Sequence, residues 1–318
     1  MKSLLTRHTS STPSNTLAHK KSLFRRMCDC GWLYALILPS LVTVFIFHYI
    51  PIYGVQIAFK DFRNSLGIRG SEWVGFKHFL RFFNYPFFWR ILRNTLWISC
   101  CSLLLFPLPI IFAIMLNEMK NQKLKKVCQQ LTYAPHFIST VVVCSMVIMF
   151  LSRDGLFNIL NGLFGKNVVD YIADPELFAP IYALSGSWQN LGWGTIIYLA
   201  SLSGVSMDLV DAAKIDGASR MQVIRHVYIP HLLPQIVTLF ILQTGSMLSI
   251  GFEKVFLLQN SLNLEASDVI STYVYKVGLL NRDYSYSTAI GLFNNVINII
   301  ILTITNAISK KATKTSLW

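Results

Sequence analysis

Six apolar stretches of about 20 residues set the limits on what this chain can become, because that is the length an α-helix needs to cross a hydrocarbon layer of about 30 Å. They lie near Trp32–Ile52, Asn94–Leu116, Leu131–Leu151, Phe178–Ser201, Leu232–Phe252 and Thr288–Ser309. Lipid offers no partner to a bare N–H or C=O, so each stretch must bond its own backbone as a helix. The expected fold class is therefore an all-α membrane protein with six transmembrane helices. Composition agrees: 53% of residues are hydrophobic and 14% charged, where a soluble domain carries about 25% charged residues. The net charge of +13 falls in short pieces between the apolar runs rather than on one polar face, which argues against a nucleic-acid binder. The first run follows some 30 residues of polar chain and has no A-x-A-like cleavage site after it, so it reads as a retained anchor.

The distribution of Lys and Arg sets the orientation. With the amino terminus inside, the inner segments hold 16 of them and the outer segments 12, seven of these between Lys60 and Arg93. Arg90 and Arg93 adjoin the second span, where long side chains snorkel to the interface. Both termini are expected in the cytoplasm. Residues 1–31 read as a basic, flexible tail without a domain of its own, 32–309 as the six-span domain and 310–318 as a second tail. Cys28, Cys30 and Cys128 then lie inside and Cys100, Cys101 and Cys144 within spans, leaving no disulfide outside. Cys28-x-Cys30 lacks the spacing of a zinc site.

The spans themselves exclude chemistry. Between their predicted ends there is no Asp, Glu, Lys or Arg, whereas secondary transporters and pumps keep such a residue at membrane depth. His48 and His136 are the exceptions, and both are expected near the headgroups. Gly165-Lys166 resembles part of a phosphate loop, but Leu160 holds the place of the first Gly and Asn167 that of the Ser or Thr. No G-x-S-x-G or H-E-x-x-H occurs, so a catalytic role is not expected.

The loop 203–230, between the fourth and fifth spans, carries the most specific signal. Ser206 is placed to cap a first short helix, with Asp208 and Asp211 near its positive end. Ser219 and Gln222 have capping-box spacing for a second helix. Gly217 lies between the two, where a positive φ costs little. Pro230 is expected to end the second helix before the next span. Asp211-Ala212-Ala213, Gly217 and Val227-Tyr228-Ile229-Pro230 resemble the EAA motif of binding-protein-dependent ABC importer permeases, with Asp for the usual Glu. The phrase Ala213-Lys-Ile-Asp-Gly-Ala-Ser219 is similar to the carbohydrate, maltose-type branch. Pro51-Ile-Tyr-Gly-Val-Gln-Ile-Ala-Phe-Lys-Asp-Phe62 and Trp73-Val-Gly-Phe76 resemble permeases for oligosaccharides from complex polysaccharides such as pectic or alginate-derived sugars.

The resemblance implies the type I importer architecture, in a bacterial cytoplasmic (inner) membrane. It implies that Asp211, Ala212, Ala213, Gly217 and Pro230 belong to the element that docks on the ATPase. The partners it implies are a second homologous permease subunit, two ATPase subunits and an extracytoplasmic sugar-binding protein. It implies no cofactor in this chain, ATP and Mg²⁺ being bound by the partner ATPase.

Sugar sites combine aromatic faces with amides and hydroxyls. Trp188 and Trp193 in the fourth span offer the first. Gln243, Ser246, Met247 and Ile250 fall on one face of a helical fifth span by i, i+3, i+4, i+7 spacing. By resemblance to maltose-type permeases these six are the candidate substrate-binding residues, while Asn294, Asn295 and Asn298 in the sixth span admit either packing or binding. Gly192 and Gly194 are expected to make the fourth span irregular, which would let both tryptophans face one sugar. Pro107 and Pro109 are expected to bend the second span. Phe76, Phe79, Leu80 and Phe83 form an apolar stripe on a helix for the bilayer interface. Two rival classes stay open at this point, a self-sufficient secondary transporter and a membrane scaffold or receptor.

Overall fold

The computed structural model describes residues 31–318; the basic tail, apart from Gly31, and the Cys28-x-Cys30 pair lie outside the described residues. The chain divides into two units at Gly54. In the first, helix α1 (Gly31–Val44) runs through Pro39, with Thr43 Oγ1 donating to the Pro39 carbonyl at 2.9 Å. A π turn at Phe45–Tyr49 follows, just ahead of Pro51. Proline lacks an N–H and its ring crowds the carbonyl four residues back. One wider turn, in which Ile50 N–H donates to Phe45 O, makes room for it without breaking the rod.

The second unit opens with a two-residue hairpin, β1 (Lys60–Asp61) against β2 (Glu72–Trp73) in antiparallel register. Helix α2 (Lys77–Phe83) follows. Three of the four residues of the expected stripe, Phe76, Leu80 and Phe83, are exposed, while Phe79 is half-buried against Phe59 and His78 and Phe82 turn inward. The second span is broken at Phe106 into α3 (Phe88–Leu104) and α4 (Pro107–Glu118), with Pro107 starting the second piece. Helix α5 (Gln122–Tyr133) leads through a 3-10 turn to α6 (Thr140–Leu151) and then α7 (Leu156–Leu163). Helix α8 (Pro175–Leu202) is capped by Asp174, whose carboxylate accepts from Glu176 N–H at 2.9 Å.

Short helices α9 (Met207–Ile215) and α10 (Arg220–Val223) form the loop that follows. The chain continues as α11 (Ile229–Gly245), α12 (Phe252–Leu258), α13 (Ile270–Tyr275) and α14 (Tyr284–Thr313). Five helical runs, Gly31–Phe59, Phe88–Glu118, Thr140–Leu163, Arg220–Gly245 and Tyr284–Thr313, are long and apolar enough to cross a membrane. Helix α8 meets the same test when taken with α9, from which it is bent by 78°. The fold is all-α with six membrane helices.

Helix α8 is the pillar of the second unit, packing on α3, α4, α5 and α11, while α11 also packs on α14. Three apolar clusters fill it. One, around Phe82, Ile91, Tyr273 and Tyr286, lies at the end that bears α2. A second, around Ile98, Phe178 and Val255, is central, and a third, around Ala113, Tyr198, Val210 and Leu232, supports the α9–α10 loop.

Candidate functional site

The loop folds as its local chemistry requires. Ser206 takes the N-cap position of α9, although its side chain makes no capping bond. Beyond Ile215 the chain turns at Gly217, with φ +80°, and Ala218 N–H donates to Ala213 O at 2.9 Å. A left-handed residue that closes a helix in this way is least strained as glycine. The capping box forms: Ser219 N–H donates to Gln222 Oε1 at 2.7 Å, and Gln222 N–H to Ser219 Oγ at 3.4 Å.

One side of the elbow is anchored. Val210, Val223 and Tyr228 are buried, and Tyr228 Oη donates to Glu118 Oε1 at 3.0 Å. The other side is presented. Ala212 is exposed beside half-buried Ala213, and Met207, Leu209, Met221 and Ile215 stand clear, Ile215 by 87%. Among the described residues Asp211 pairs only with Lys214, three positions on, at 3.0 Å on the surface. A narrow cleft bounded by Ala213, Gly217, Gln222 and Val227 opens next to it. Such a surface, small and apolar with the exposed acids Asp208, Asp211 and Asp216 around it, can receive the groove of a partner.

Pro230 does not end a helix. Arg220–Gly245 is one helical rod, with a π turn at Ile224–Tyr228 in which Ile229 N–H donates to Ile224 O. The wide turn gives the proline ring its space, as it does before Pro51.

A cavity of about 720 Å³ opens along α8, walled by α4, α11 and α12. Trp193 and Gln243 line it, together with Ser102, Tyr182, Asn190 and Lys254. Trp193 stacks on His136, with 4.4 Å between ring centroids and 6° between planes. His136 Nδ1 lies 2.9 Å from Asn190 Oδ1. His136 thus sits against α8 at Asn190 and Trp193, four residues before the membrane-length run Thr140–Leu163.

Trp188 is about half exposed and lies outside that wall. The reason is that α8 stays regular through Gly192 and Gly194, so residues five apart point about 140° from each other. The glycines serve packing instead. A Cβ at Gly192 would overlap the Thr132 carbonyl of α5, and one at Gly194 would press on Pro109 at 3.3 Å.

The expected face of Gln243, Ser246, Met247 and Ile250 is not helical, because α11 stops at Gly245 and Ser246 is its cap. These four instead surround a smaller recess of about 170 Å³ beside the cavity, and the Ile250 side chain is buried in the central cluster. The break at 246–251 is held from the sixth span. Leu248 N–H donates to Asn298 Oδ1 at 3.0 Å, and Asn298 Nδ2 donates to Ser249 Oγ at 2.8 Å. Ser99 Oγ donates to the Met247 carbonyl. Asn298 is therefore a brace for broken helix.

Lys254 escaped the sequence argument because it falls two residues beyond the predicted end of the fifth span. The break folds α12 back against α8, and Lys254 Nζ donates to Tyr182 O at 3.0 Å and lies 4.9 Å from the Tyr182 ring centroid. Gly245 and Gly251 bracketing serine and methionine were the signal that the helix stops.

Six membrane helices, an elbow presented beyond the bundle and a cavity along its central helix fit a membrane permease that works with a partner. Comparison with known proteins gives the family. The model of the binding-protein-dependent transport system inner membrane component matches residues 106–314, and the chain belongs to that family. It is a non-catalytic, transmembrane permease subunit of an ABC importer.

The polygalacturonan/rhamnogalacturonan transport system permease protein YteP of Bacillus subtilis is 42% identical over 92% of this chain and 92% of its own. Protein LplB of the same organism is 42% identical over 88% of this chain and 89% of its own. A chain of the bacterial alginate ABC transporter, solved in complex with an alginate pentasaccharide-bound periplasmic protein, superposes with TM-score 0.84 at 37% identity. That match covers 93% of this chain and 99% of the solved one.

Proposed function

We propose that this chain forms half of the translocation path of an importer for oligosaccharides released from pectic or alginate-type polysaccharides. Its partners are a second, similar permease, two ATPase subunits and an extracytoplasmic sugar-binding protein. Both termini lie in the cytoplasm, so that the α9–α10 elbow faces the ATPase. The cavity along α8 is the observation that carries the reading: Trp193 supplies an aromatic face, and Asn190 from α8 and Gln243 from α11 supply amides to the same lining. This is the mixture that binds a sugar ring and its hydroxyls. The substrates named for the relatives support the oligosaccharide class.

On this reading, Asp211, Ala212, Ala213 and Gly217 transmit ATPase closure. Pro230 shapes the rod above them. ATP and Mg²⁺ stay with the partner subunit. The test is uptake of labelled oligogalacturonate or oligoalginate into proteoliposomes holding the assembled transporter. Uptake is expected only with both ATP and the binding protein present. Uptake without the binding protein would remove that partner from the reading, and no uptake of either cargo would remove the pectic and alginate-type oligosaccharides as substrates.

A further inference from the structure

Lys254 is the charged group that the rest of the molecule leaves least explained. It is 9% exposed and touches α8 at Tyr182 and Gly186, seven and eleven residues past Pro175. At 1.5 Å per residue that is about 10–16 Å along the helix, well below its first turn. An ammonium has three N–H donors, and among the described residues a single hydrogen bond, to Tyr182 O, engages this one. Among the described residues no carboxylate lies within 4.0 Å of it. Its neighbour Glu253 is exposed on the cavity wall, beyond that distance.

The contrast with Lys276 is instructive: that lysine, near the α2 end, pairs with Asp268 at 2.9 Å. A buried cation without a counter-charge is costly, and among membrane helices its usual meaning is function. A Cβ at position 186 would stand 3.0 Å from Lys254 Nζ, so the glycine there gives the ammonium room to lie against α8 at the edge of the cavity that Lys254 lines.

We propose that Lys254 is the position that reads the carboxylate of a uronic acid sugar as it passes through the cavity. The inference rests on the oligosaccharide reading above and adds the charge of the cargo to it. A carboxylate drawn to Nζ meets the two remaining N–H donors, while Trp193, Asn190 and Gln243 in the same cavity lining take the ring and its hydroxyls. Lysine suits a transit site better than arginine. A compact ammonium on a flexible stem binds one carboxylate as a point charge and lets it go, whereas a guanidinium clamps it with two parallel bonds.

The test uses the complete transporter in proteoliposomes with its binding protein, and two cargoes: trigalacturonate and the same trisaccharide with its carboxyls methyl-esterified. Uptake efficiency of each variant is divided by that of the wild type for each cargo, so the binding protein's own preference cancels. Lys254→Met is expected to lower uptake of the acid at least tenfold more than uptake of the ester, the usual weight of a charge-assisted hydrogen bond. Lys254→Arg should restore most of the difference. Gly186→Ala, which crowds Nζ, should lower acid uptake selectively by a smaller factor, and it decides the matter if Lys254→Met fails to assemble. Equal losses on both cargoes, as from a lysine that pairs with the partner permease, overturn the proposal, and so does unchanged uptake. A wild type that imports only neutral oligosaccharides overturns it while leaving the oligosaccharide reading intact. A wild type that imports no oligosaccharide overturns both.

Discussion

At the scale of single residues, regular helix geometry separates two tryptophans that look equivalent in the sequence. Trp193 faces the cavity and Trp188 does not, because nothing in α8 relaxes its 100° step per residue. Alanine at Trp193 or at Gln243 is therefore expected to lower oligosaccharide uptake about tenfold, equivalent to about 1.4 kcal/mol. Alanine at Trp188 should stay within about twofold, a figure at the edge of what a surface substitution does. Transport rates of the three variants, normalised to assembled complex, check this, and a loss at Trp188 as large as at Trp193 would move the path. Gly192 makes a second, separate prediction. Its hydrogen is all that fits against the Thr132 carbonyl and the Tyr133 ring, the latter 2.6 Å from where a Cβ would be. Gly192→Ala should destabilise the protein by about 1–3 kcal/mol through overpacking, read as a lower unfolding midpoint in detergent.

At the scale of elements, the α9–α10 elbow depends on conformation at one position and on bulk at another. A Cβ at Gly217 would meet nothing within 4 Å, so the cost of Gly217→Val is purely that of forcing a β-branched residue to positive φ, about 1–2 kcal/mol. Ala212 is the reverse case: its backbone is ordinary helix and its exposed side chain leaves a partner room to approach. Gly217→Val and Ala212→Glu should each abolish ATP-driven uptake while the chain still inserts and is recovered from membranes. Wild-type transport by both would remove the elbow from the coupling path. The same scale explains two of the three π turns among the described residues. Those at Phe45–Tyr49 and Ile224–Tyr228 precede Pro51 and Pro230, and each keeps continuous a rod that the proline would otherwise interrupt; the third, at Lys276–Leu280, precedes no proline. A sequence reading that treats proline as a stop misses this, because the relief lies in the turn upstream and has no residue signature of its own.

At the scale of the whole molecule, the two ends of the second unit differ in chemistry. One carries the β1–β2 hairpin and α2, and the other carries the elbow. Their assignment to outside and inside rests on the balance of Lys and Arg, and thiol labelling tests it. In a background with the six native cysteines replaced, Ser65→Cys and Asn167→Cys should react with a membrane-impermeant maleimide in sealed cells. Met221→Cys should react only after lysis. All three positions are exposed, whereas Ser71 is 5% exposed and donates to Gly67 O, which makes it a poor reporter. Labelling of Met221→Cys in sealed cells would invert the orientation and place the elbow where no ATPase can reach it.

The sequence by itself determined the class. Apolar runs of membrane length permit only helices, and the capping box, the Gly217 turn and the two alanines are local features whose geometry is set within a few residues of each. The elbow was legible for that reason. What the tertiary structure decided depends on distant segments meeting. Asn298 reaches back fifty residues to brace the break after Gly245. That break ends the helical face on which Gln243 and Ile250 were expected to line up, and it swings Lys254 in against Tyr182. No periodicity announces such a contact, since a helix stopped by a hydrogen bond from another helix has the same local sequence as one that continues. The charge in the wall of the cavity is thus a property of the packing, and it becomes visible only when α8, α11, α12 and α14 are assembled together.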